Sequence, residues 1–98
     1  MRVIDLLALL ADYNQNTAVQ MQSGETVANI ERFELSTVLE SDHLTLIPKA
    51  GGHPHRLWEL RVLLDRTELR PRYVYLQTPT GPVPAFGFQQ RKAALVIN

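Results

Sequence analysis

The sequence predicts an α+β domain of two tandem α-β-β-β units, pseudo-duplicated, with a mostly antiparallel sheet packed against two helices. Three observations predict it. Apolar spacing changes from helical to alternating twice along the 98 residues, the second half answers the first position by position, and no stretch of linker composition separates the halves. A chain of this length that is 45% hydrophobic suits one domain, residues 1–98, around one core. Within it the first unit covers about 2–48, a connection 49–55 and the second unit 56–98.

Val3, Leu6, Leu7 and Leu10 recur at helical spacing and predict a largely buried opening helix, which fades in the turn formers "DYNQN". From Thr17 the period becomes two. Thr17, Val19 and Met21 share one face of a strand, with Ala18, Gln20 and Gln22 on the other. "SGE" supplies a turn, a second strand is expected near 27–35, "ESD" breaks it, and "HLTLIP" at 43–48 reads as a third.

The same order follows in the second half. Leu57, Leu60, Val62 and Leu64 mark a helix more loosely, with Trp58 expected in its core face and Pro54 in its first turn, where a missing N–H is harmless. That helix is expected to stop near Pro71. Arg72, Val74 and Leu76 then alternate with Tyr73, Tyr75 and Gln77; "TPTGP" turns the chain, and strands are expected near 83–88 and 93–97, with "QQRK" between them.

The repeat is visible in the letters. "RVIDLLALL" at 2–10 lies over "RLWELRVLL" at 56–64, with Arg2, Leu6, Leu9 and Leu10 identical to Arg56, Leu60, Leu63 and Leu64. Beyond the helices, Val19 lies on Val74, Met21 on Leu76, Gln22 on Gln77, Val27 on Val83 and Ile30 on Phe86.

The run "VIDLLALLADYNQNTAVQMQ", followed by "I..F" and "LTLI", resembles small uncharacterised phage and prophage proteins that open with an apolar helix, a tyrosine-plus-turn segment and a valine strand. The likeness covers the first half, and the second half more loosely. It departs from the pattern at Asn14–Asn16, where those proteins commonly carry proline and aspartate. It implies a small intracellular accessory protein and carries no catalytic residue across.

Composition narrows the chemistry. Without cysteine there is neither a disulfide framework nor a thiolate metal site, which points to the cytoplasm. Asp5 interrupts the short apolar start, so neither a leader peptide nor a membrane span is expected. The zero net charge hides an asymmetry: residues 1–50 carry three basic and seven acidic groups, residues 51–98 seven basic and three acidic. That opposition suits halves or copies that pack together better than it suits one basic nucleic-acid surface.

No nucleophile elbow, phosphate cradle or paired carboxylate stands out, so no enzyme and no cofactor is expected. His53 and His55 flank Pro54 after two glycines and are metal-ligand candidates, but a third ligand is not evident. Arg61, Arg66, Arg70 and Arg72 are interleaved with Asp65 and Glu68, as in a solvated face, so nucleic acid is not the expected partner. Tyr73 and Tyr75 replace Ala18 and Gln20 of the first unit and, with Arg72, are the interface candidates. Packing of both rings on Phe86 or Phe88 within the domain is the equal alternative. The expected role is non-enzymatic docking to a protein or to a second copy; the alternative is a regulatory module that takes a small ligand or metal between the units.

Overall fold

A computed structural model describes all residues 1–98. In chain order it has α1 (Val3–Leu10), β1 (Ala18–Ser23), β2 (Thr26–Val38), β3 (Ser41–Lys49), β4 (His55–Arg56), α2 (Leu57–Leu64), β5 (Tyr73–Thr78), β6 (Gly81–Pro84), β7 (Phe88–Arg91) and β8 (Ala94–Ile97). The strands form one mixed sheet in the order β6-β5-β3-β2-β1-β8-β7, with β4 pairing β1 off that path. Pairings β1–β8 and β3–β5 are parallel and the others antiparallel. The sheet curls strongly: β5 and β1 are separated by two strands in the order, yet the Ser23 hydroxyl donates to the Gln77 carbonyl at 2.8 Å.

Each helix starts the same way. The Arg2 N–H donates to the Asp5 carboxylate at 3.1 Å and the Arg56 N–H to the Glu59 carboxylate at 2.9 Å, each an acid in the first turn satisfying the backbone just before it. The next two free N–H groups reach the other half of the chain. Val3 and Ile4 donate to the carbonyls of Arg72 and Arg70, and Leu57 and Trp58 to those of Thr17 and Gln15. Each helix start is thus tied to the segment that leads into the opposite half's first strand.

The core lies inside the curl. Val3, Leu6 and Leu10 of α1 and Leu57, Leu60 and Leu64 of α2 pack with Val19, Met21, Leu44, Leu46, Val74, Leu76, Leu95 and Ile97 of the strands, all essentially without solvent contact. At ~25 cal/mol per Å² of apolar surface, each such leucine contributes about 2 kcal/mol of transfer free energy.

Several expectations shift. Trp58 and Val62 are half or more exposed, because residues 57, 60 and 64 already define the buried stripe of α2 and residues 58 and 62 fall on the opposite side. Pro54 precedes the helix instead of entering it, since His55–Arg56 pair with Val19 and Ala18 as β4. α2 ends at Leu64, ahead of Pro71, and Leu69 anchors the intervening turns in the core. There are eight strands where six are expected: "QQRK" is mostly strand β7, with its turn at Lys92, whose φ is +46°. Likewise the break at "ESD" is a turn at Leu39–Glu40, and Ser41 and Asp42 already pair. Phe86, matched with Ile30 in the sequence, differs from it in burial: Ile30 is buried, whereas Phe86 is among the most exposed side chains.

Candidate functional site

Each of the three interface candidates makes a contact within the chain, and Tyr73 stays 39% exposed. Tyr73 lies beneath Arg2, whose guanidinium carbon is 5.2 Å from the ring centroid and whose Nη2 donates to the tyrosine hydroxyl at 3.2 Å. That contact raises the Arg2 pKa above its ordinary value. Tyr75 stacks on His43, with centroids 4.1 Å apart, on the outer side of the β3–β5 pair. Arg72 donates to the carbonyls of His43 at 3.0 Å and Ser36 at 3.3 Å, clamping the far end of the β2–β3 hairpin. Neither tyrosine packs on Phe86 or Phe88; Phe88 instead meets Tyr13 edge to face at 5.2 Å.

His53 and His55 do not converge with a third ligand, and nowhere do three His, Cys, Asp or Glu side chains gather as a metal set. His55 faces Glu59, Nδ1 to Oε2 at 3.7 Å. The Glu59 carboxyl is held below its ordinary pKa, first by the backbone N–H of Arg56 and further by His55. Of the arginines, Arg70 donates from Nε and Nη2 to a single oxygen of Asp65, at 2.9 and 2.7 Å, and Arg61 donates to the Gln15 side chain, so they do not form one free basic face.

The connection "AGGHP" has a definite seat. Gly51 and Gly52, both in the left-handed region at φ +72° and +76°, turn the chain back over the outer side of β1 and β2. There the buried Asn29 side chain donates to the carbonyls of Gly51 at 3.0 Å and Gly52 at 3.2 Å and accepts from Gln20 at 2.9 Å. Beside it lies an open cleft of about 450 Å³ whose wall takes Ala18, Gln20 and Val27 from the first half, Pro54 from the connection, and Val96 from the second, with Arg91 and Lys92 at the rim.

Sequence reasoning missed a long strand edge that the fold leaves unpaired. β1 accompanies β2 only from Thr26 to Asn29. At Glu31 the β2–β3 register slips by one residue, the mark of a bulge, and β2 leaves β1, whose edge is taken over by β4. From Arg32 to Val38, β2 pairs β3 on one side and no strand on the other. Leu35 and Val38 are each 48% exposed and Leu39 at the tip is 96% exposed. The second strand expected near 27–35 runs on to Val38, and the only signal of that in the sequence is the length of the polar-apolar run "ERFELSTVLE".

No family model, no curated protein and no solved structure matches the chain.

Proposed function

We propose that this chain is a tandem duplication of one α-β-β-β unit and acts, without catalysing a reaction, as a docking module that receives an extended strand along the free half of β2. The duplication is supported by bonds that recur at a nearly constant spacing: Leu57 to Thr17 answers Val3 to Arg72, and Trp58 to Gln15 answers Ile4 to Arg70. The two parallel pairings answer each other in the same way, first strand of one unit to last strand of the other.

The observation that carries the docking reading is the unpaired edge of residues 31–38. An exposed strand edge presents a row of N–H and C=O groups that a further strand satisfies, and natural domains usually cover or blunt it. Here the other edges are blunted. β6 carries Pro82 and Pro84, which have no N–H to offer, and β7 is only four residues long. The test is a photoreactive residue placed at Leu35 in the native cell, with Gln90 on β7 as the control position. A covalent adduct formed from Leu35 and not from Gln90 is expected; no adduct at Leu35 overturns the reading.

A second reading has its own observation. The cleft beside Pro54 is built from both halves and carries Arg91 and Lys92 at its rim with no acid in its lining, which suits a small organic anion. A melting temperature that rises with a short-chain carboxylate in wild type but not in Lys92→Glu supports it; no response in wild type refutes it.

A further inference from the structure

We infer that the strand received by β2 is the same strand of a second copy, the two paired antiparallel about a two-fold axis through Leu35. This rests on the docking reading above and names its partner.

Hairpin geometry fixes which groups are free. Leu39 and Glu40, at φ +49° and +65°, form a two-residue turn of the primed kind, so Val38 and Ser41 face each other as a hydrogen-bonded pair. Alternation then directs the N–H and C=O groups of Ser36, Glu34 and Arg32 at β3 and turns those of Phe33, Leu35 and Thr37 outward. The outward set is symmetric about Leu35. An antiparallel copy places Leu35 opposite Leu35 and Phe33 opposite the second copy's Thr37, with about six N–H···O bonds across the joint.

The side chains agree with that register. On one face Arg32 meets the second copy's Val38, and Glu34 meets its Ser36, so no like charges stand directly opposite. Each Glu34 also keeps its own Arg32 at 2.7 Å. On the other face Leu35 sits opposite Leu44, which is fully buried, yet Leu35 is half exposed because the sheet ends there. A second Leu35 continues the apolar layer across the axis. The corresponding position of β7, opposite Leu95, is Gln90, and Phe88, the other residue on that face, is already packed against the core and Tyr13, so the second half's edge offers no free apolar layer. This difference favours joining β2 to β2 and closing the pair over joining β2 to β7 in an open chain.

The chain has no cysteine, which makes a single-cysteine test clean. Facing residues of a hydrogen-bonded antiparallel pair have Cα atoms about 5.5 Å apart, within the roughly 4.4–6.8 Å that a disulfide spans. Purified Leu35→Cys is expected to oxidise to a disulfide-linked dimer under conditions where Gln90→Cys stays monomeric. Wild type is expected to sediment as a monomer–dimer mixture that shifts with concentration, and Leu35→Lys to remain monomeric. Cross-linking no faster at Leu35 than at Gln90 overturns the inference, as does a wild type that stays monomeric throughout or grows into an open series. If Leu35→Lys does not fold, the cysteine pair still decides. A cellular adduct at Leu35 to some other protein, with no dimer in vitro, removes this inference while leaving the docking reading intact.

Discussion

Asn29→Ala tests whether the glycine connection is held in place by one side chain. The substitution removes the two bonds that Asn29 donates to Gly51 and Gly52 and the one it accepts from Gln20. Neutral hydrogen bonds contribute about 1 kcal/mol each net of water. The two glycines are exposed and their carbonyls rehydrate when released, so the expected loss is about 2 kcal/mol and not the full sum of about 3. For a domain of this size that corresponds to a fall in Tm of about 8–16 °C. Thermal unfolding by circular dichroism gives the Tm, and limited trypsin digestion reports the connection directly, because Lys49 stands at its start. Faster cleavage after Lys49 is expected alongside the lower Tm. A Tm change under about 3 °C with unaltered cleavage at Lys49 refutes the argument and means that backbone geometry alone seats the connection.

Two further predictions concern α2. Because the Glu59 pKa is lowered in the fold, its ionised form stabilises the helix start fully above the ordinary glutamate value and loses that contribution as pH falls through the lowered one. Glu59→Gln, which stands in for the protonated side chain, should therefore lower the neutral Tm by that contribution and converge with wild type at acid pH, flattening the acid side of the stability-against-pH curve; an unchanged acid limb in urea titrations rejects the assignment. Trp58 is the only tryptophan and is 51% exposed, so its fluorescence should be red-shifted and readily quenched by acrylamide in the native state. A blue-shifted, poorly quenched emission would instead place it in contact with a second molecule or an inward rotamer.

Much of the local structure was legible from single letters. The buried set Val3, Leu6, Leu7 and Leu10 follows from helical spacing, and Val19, Met21, Val74 and Leu76 from alternation, because each pattern records which side of an element meets the core. Trp58 was not legible in this way. A large apolar residue next to Leu57 reads as core by composition, but the helix turns only one stripe inward, and Leu57, Leu60 and Leu64 fill it. Of the candidate site, Tyr73, Tyr75 and Arg72 stand out by type, but their contacts to Arg2, His43 and the hairpin carbonyls join residues far apart in sequence and leave no local pattern.

The sequence by itself determined two helices, the inward face of each first strand and the chain's lack of disulfides. Tertiary structure alone decided that the halves exchange strands, through the parallel pairs β1–β8 and β3–β5, and that β2 outruns its neighbour to leave residues 31–38 open. The reason is physical. Periodicity along the chain reports burial on one face of an element, whereas strand pairing runs sideways between segments far apart in sequence and leaves no period of its own. A one-residue slip at Glu31 is enough to part β2 from β1 and turn an ordinary strand into a free edge.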